Sequence, residues 1–207
     1  WTINIFKLQL GIVYFYAGLA KLNYDWIIRA MPLSIWLPEH RDIFILGYLF
    51  QYQISNRNVS VNVLNSSSSP FYVDATLNTI LYPNNSSPVY NASPIPYVCI
   101  NQTVNYNYGV VENNGDSLVY SLVGARTANA LWTVSNMTYN TGFTATSPIT
   151  GLTINPLTGQ LNFTPATPLG NYIVVVRVTE YNGAGQVVGT VQRDIQFVVM
   201  NCSNQIP

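Results

Sequence analysis

Tyr172, Val174, Val176 and Val178 share one parity along the chain, as do Val191, Ile195, Phe197 and Val199, with Asn182-Gly183 between the two runs. A strand sends successive side chains to opposite faces, so a period of two points to a long strand that ends at the turn Asn182-Gly183 and to a last strand after it, each with one face turned inward. The same period recurs at Val104, Tyr106 and Tyr108, and at Leu118, Tyr120 and Leu122. It returns at Leu152 and Ile154, then at Leu161 and Phe163, around the turn residues Asn155 to Gly159. Short strands with turn signals every 8–12 residues or so predict a mainly β domain over 99–207, an antiparallel β-sandwich.

The first fifty residues follow different rules. Both lysines, Lys7 and Lys21, and the only histidine, His40, lie there, while beyond Arg41 the cations are Arg57, Arg126, Arg177 and Arg193. Ile3 to Leu22 is mostly apolar and about twenty residues long, enough to span a bilayer core as a helix. On a helical wheel Lys7, Gly11, Tyr14, Gly18 and Lys21 fall within roughly 80° of one another. A stripe of small and polar residues on an apolar helix is the pattern of a membrane helix packed in a bundle. Trp26 to Leu37 is interrupted by Pro32, and Ile43 to Phe50 is too short to span. The expectation is a membrane-type helical segment over 1–51, with membrane contact through residues 3–22. The chain begins at Trp1 rather than Met, which reads as a fragment or a processed product, so the lack of a secretory signal in it says little.

Between the two pieces, 52–98 carries the Ser, Asn and Pro clusters of Asn65–Pro70, Tyr82–Pro88 and Asn91–Pro96, which are loop signals. Val59–Leu64 and Phe71–Leu77 alternate well enough for short strands, so this stretch is expected to be a linker with short strands. Asn58, Asn85, Asn101 and Asn162 begin N-x-S/T triplets, readable as glycan acceptors or as chance in an Asn/Ser/Thr-rich chain.

Composition removes several functions. Charged residues are 8% of the chain and the formal net charge is zero, so there is no basic face for a nucleic-acid partner. At 48% hydrophobic and 13% aromatic, the chain has the apolar surface to build a core. A Ser-His-Asp triad has nothing to work with, since His40 stands alone and no G-x-S-x-G elbow occurs.

Two resemblances add to this reading. Tyr14 to Leu37, with Ala17, Gly18, Lys21, Leu22, Asp25 and Trp26 in an A-G-x-x-K-L-x-x-D-W pattern, resembles the vitamin K-dependent γ-carboxylase/HTTM membrane proteins. In those carboxylases the lysine of this motif deprotonates the vitamin K hydroquinone, a role that would fall to Lys21. Burial among helices can lower a lysine's pKa far enough for such a base. The family continues with several more membrane helices, whereas here the hydropathy falls after Phe50. Lys21 can therefore also be read as snorkelling to the interface of a truncated segment.

Asn114–Leu122, Gly151–Pro165 and Gly170–Glu180, in that order, resemble the Ig-like and cadherin-like repeats of large bacterial surface proteins. With Pro96–Thr103 ahead of them, they are similar to modules of Bacteroidetes gliding-motility-associated and type IX-secreted proteins. The resemblance implies an Ig/cadherin-like fold and a structural or adhesive role outside the cell, with protein, glycan or further surface modules as partners.

Cys99 and Cys202 bracket this half, as a disulfide clamp in an oxidising compartment or as two unpaired thiols. Glu112, Asp116 and Glu180 could gather at one end of the sandwich, where cadherin-like modules hold calcium, or could be solvated loop carboxylates. The sequence supplies no other cofactor site. The leading expectation is thus a non-catalytic cell-surface module without catalytic residues. The alternative is a fragment of a membrane γ-carboxylase-like enzyme with Lys21 as its base.

Overall fold

A computed structural model describes residues 48–95, 97–166 and 168–202. The chain divides between Tyr48 and Leu49, and the second unit, Leu49–Pro207, holds all the described residues but Tyr48. The helix expected over 1–51, the membrane contact through 3–22, and Lys21 lie outside the described residues, except that Tyr48–Gln51 are strand.

The described residues are mainly β. The longest elements are β12 (Gly170–Tyr181) and β13 (Val187–Met200). They pair antiparallel from Gly170↔Val199 to Tyr181↔Val187, with an irregularity at Glu180/Tyr181. Asn182 closes the hairpin, its Oδ1 accepting the N–H groups of Ala184 and Gln186. β7 (Ser117–Val123) lies along the other edge of β12.

β13 is long enough that two strands share its free edge. β2 (Phe71–Leu77) pairs antiparallel with Gly189–Val191, and β4 (Tyr97–Cys99) runs parallel beside Val198–Met200. The sheet is therefore mixed, where the sequence reading has it purely antiparallel. β1 (Tyr48–Ile54) pairs with β2, and beyond β2 come β8 (Arg126–Ala128) and β9 (Val134–Asn136). A three-stranded sheet joins β5 (Val104–Tyr106), β10 (Thr153–Ile154) and β11 (Leu161–Phe163). Two short strands, β3 (Val89–Tyr90) and β6 (Val110–Val111), pair with each other.

Residues 52–98, expected as a linker with short strands, carry β2 at the expected Phe71–Leu77, and β2 and β4 are members of the large sheet. One expectation is corrected here. Tyr48–Gln51 belong to β1 rather than to a helix, because Tyr48, Phe50, Tyr52 and Ile54 alternate with Leu49, Gln51 and Gln53 at the strand period.

One face of the β12–β13 hairpin meets the three-stranded sheet. Tyr172, Val174, Val176, Val178, Ile195, Phe197 and Val199 are buried there with Tyr106, Leu161 and Phe163. Edge-to-face ring pairs cross the interface, Phe163–Phe197 at 5.2 Å and Tyr106–Phe197 at 6.1 Å between centroids. Truncating a ring this deep, as in Phe197→Ala, costs about 3–5 kcal/mol. Gly159 completes the turn after β10 at φ +70°, and a Cβ there would lie 2.6 Å from the Tyr120 ring. Only glycine serves both needs at that turn.

The opposite face of β12 is buried too. Ile173 and Val175 pack with Val63, Ala125 and Met137. Asn62, fully buried, accepts from Ile173 N and donates to Ile173 O, taking the place of a neighbouring strand. That explains why Ile173–Val176 is an unbroken apolar run. It also explains why Val59–Leu64 forms no strand of its own beyond an isolated bridge from Val63 to Tyr139. Its polar groups are spent on β12 and on the 138–140 segment, where Leu64 N donates to Thr138 O and Asn140 N to Asn62 O.

The parallel pairing sets Cys99 opposite Met200, two residues from Cys202. The two sulfurs are bonded, with the Cα atoms 5.4 Å apart, closing a loop of 103 residues.

Candidate carboxylate site at the hairpin end

Glu180 is the last core-facing residue of β12 before the hairpin turn, on the side chain row of Val176 and Val178. A carboxylate in that row needs space, and its partner across the ladder is Gly189. A Cβ at Gly189 would lie 2.6 Å from Glu180 Oε2, so the missing side chain leaves the volume the carboxylate fills. The irregularity between Glu180 and Tyr181 marks where the strand bends out of register.

Glu112 and Asp116 flank the turn Asn113-Asn114-Gly115 that follows β6. Glu112 folds over this turn, Oε1 accepting Asn114 N at 2.6 Å and Oε2 accepting Asp116 N at 2.7 Å. A second loop is sewn to the first, because Asn114 Oδ1 accepts from Ser86 N and Oγ while its Nδ2 donates to Asn84 O. That stitching delivers Asn85, whose Nδ2 donates to Glu180 Oε2 at 3.0 Å.

The three carboxylates converge. One oxygen from each of Glu112, Asp116 and Glu180 lies within 4.8 Å of the others. Glu180 is fully buried, yet its Oε1 has no hydrogen-bond partner, nor has the buried Oδ1 of Asn85. Burial pushes the Glu180 carboxyl up to about 7, and the charges of Glu112 and Asp116 push the same way, against the Asn85 hydrogen bond. Burial also acts on Glu112, but the N–H groups of Asn114, Asp116 and Gly115 outweigh it and hold that carboxyl below its ordinary range. One buried, easily protonated carboxyl thus faces one stabilised carboxylate, and the group can share a proton or hold a hard cation through its oxygens.

Of the residues singled out in sequence, the structure brings together Glu112, Asp116 and Glu180, and joins Cys99 to Cys202. Lys21 lies outside the described residues. Gly189 escaped the sequence reading, and Asn85 entered it only as the start of an N-x-S/T triplet. A glycine just ahead of the alternating run from Val191 was the available signal for Gly189. The triplet at Asn85 carries no sign of its contact with Glu180.

Known families bear on the other end of the chain. The profile of the HTTM domain matches residues 1–104. The chain belongs to the HTTM domain family. Its family segment includes the Ala17–Trp26 motif and runs through β1 to β4, Cys99 included. HTTM domains are typically membrane-associated, which is consistent with a membrane-related location for this HTTM-domain chain. Among the described residues no helix is long and apolar enough to cross a membrane. No curated protein and no solved structure matches the chain.

Proposed function

We propose that residues 49–207 work as a non-catalytic structural and adhesive module displayed outside the cell from a membrane-associated chain. The observation that carries this reading is the Cys99–Cys202 disulfide, since such bonds persist in oxidising compartments and are rare in the cytosol. The shared core of the large and three-stranded sheets supports an Ig/cadherin-like sandwich as its architecture. In this reading Glu112, Asp116 and Glu180 hold calcium. Two features support that beyond the acidity of the cluster. Glu180 Oε1 and Asn85 Oδ1 are buried oxygens without donors, and an unsatisfied buried acceptor is costly unless something completes it. Calcium would fix the two loops and the hairpin end to one another.

The test uses intact cells producing the whole chain. Non-reducing peptide mapping and surface proteolysis should find the disulfide formed and the 82–86 and 112–116 loops accessible from outside. A reduced pair in a protease-resistant, internal domain would sink the reading. For calcium, the purified full chain should unfold at a higher temperature with calcium than with chelator, and Glu180→Gln should remove that difference.

The HTTM match favours a second reading, a γ-carboxylase-like membrane enzyme with Lys21 as the base. Reconstituted in lipid, it would show hydroquinone-dependent turnover that Lys21→Ala abolishes. Turnover unaffected by that change, or none at all, removes Lys21 from the chemistry.

A further inference from the structure

On the far side of the large sheet from the carboxylate site, a cleft of about 230 Å3 opens beside a buried ion pair. Arg57 Nη1 donates to Asp194 Oδ2 at 2.6 Å, with the side chains only 3% and 4% exposed, so the floor carries both charges and no net charge. The Arg57 Cζ lies over the Phe71 ring, 4.7 Å from its centre. Its Nη2 donates to Arg126 O at 2.9 Å, and its buried Nε has no partner.

The polar groups around this floor are only partly used. Asn58 Nδ2 donates to Gln196 Oε1 at 3.0 Å, which leaves the other half of each amide open. Among the described residues the Asn56 side chain makes no hydrogen bond, and Asp194 Oδ1 accepts none. Ile54, Phe71 and Ile173 supply apolar wall.

We propose that this cleft binds one neutral sugar residue, a pyranose presented by a glycan. The proposal rests on the adhesive reading of the module and names its ligand class. Open amides and an acceptor-only carboxylate oxygen suit vicinal hydroxyls, each of which donates and accepts, while C–H faces suit the apolar wall. An anion would meet Asp194, and a cation would meet Arg57, so the paired floor selects against net charge. The volume lies below the roughly 300–1,000 Å3 of drug-sized sites, which restricts the ligand to about one ring.

Saturation-transfer NMR on the full chain in nanodiscs tests this against methyl glucoside, galactoside and mannoside, N-acetylglucosamine and methyl glucuronide. At least one neutral pyranoside should receive saturation, in chelator as well as in calcium. Asn56→Leu and Gln196→Leu should each weaken its binding about fivefold, the effect of one hydrogen bond, with the unfolding temperature unchanged. No saturation of any neutral pyranoside, preference for the glucuronide, or binding indifferent to both substitutions overturns the proposal. Surface exposure of the module, measured separately on cells, would stand in each of those cases, so the two readings fail independently.

Discussion

The large sheet buries carboxylates in two places and treats them in opposite ways. On one face Asp194 lies against Arg57, and Asp74 accepts hydrogen bonds from Arg126 and Gln192. At the hairpin end Glu180 meets Glu112 and Asp116 instead. Coulomb attraction completes the first arrangement within the protein. In the second, like charges crowd together and two acceptor oxygens go without donors. A buried charge needs a partner or must give up its charge. The ion pairs therefore balance their charges within the protein, although Arg57 Nε and Arg126 Nε lack acceptors, whereas the carboxylate cluster needs something added, a proton or a cation, to balance its own.

Deleting half of an ion pair should hurt most. Arg57→Ala strands Asp194 in the sheet and is expected to cost about 3–5 kcal/mol in urea unfolding of the full chain. The double replacement Arg57→Met with Asp194→Leu should recover most of that loss, because a buried pair is often worth little more than its apolar substitute. A double variant as unstable as the single one would show that the hydrogen bond to Arg126 O matters more than the charge.

The carboxylate cluster should respond to pH instead. Glu180 has its folded pKa raised from 4.5 to about 7. Between those values the folded chain holds a proton that the unfolded chain has lost, so without calcium stability falls as pH rises and levels off above about 7. The change is on the order of 2 kcal/mol after screening by water at the loops. Glu180→Gln should flatten this window, and calcium should offset the loss at its upper end. Urea midpoints that are level across the window in chelator would mean that the three carboxylates do not interact.

Smaller substitutions probe the geometry. Gly189→Ala drives a Cβ into Glu180 Oε2 and should cost about 1–2 kcal/mol as overpacking, less in a Glu180→Ala background. Asn85→Ala removes the one donor that Glu180 Oε2 has and should cost about 1 kcal/mol. Equal costs for Gly189→Ala in both backgrounds would mean that the strain falls on Thr76 O, 3.3 Å from the added carbon, rather than on the carboxylate.

Alternation made much of this legible. Ser117–Val123, Leu161–Phe163 and the β12–β13 hairpin all follow period two, because one buried face imposes it. The second buried face did not announce itself. Its cover comes from Asn62 and its neighbours, whose alternation reads as a short strand until the Ile173 bonds are seen. In the 52–98 stretch alternation picked out Phe71–Leu77, which is β2, but its place beside β13 joins residues more than a hundred positions apart and left no local trace. Glu112, Asp116 and Glu180 could be nominated by residue type. That Glu180 sits at full burial depends on the register with Gly189, which only the folded ladder supplies.

The disulfide has a mechanical consequence. Tension applied between residue 48 and residue 202 would pass through the sulfurs and bypass the enclosed 103-residue loop. Only the stretch ahead of Cys99 could be drawn out, some 50 residues and roughly 170 Å of slack at full extension. Single-molecule pulling should therefore record a short first lengthening, with a much longer one once a reductant is added. A chain tethered at one end would keep the β12–β13 hairpin inside the clamp under such a load, but it would lose Arg57 and Phe71 from the cleft and Asn85 from beside Glu180 as β1 and β2 unravelled.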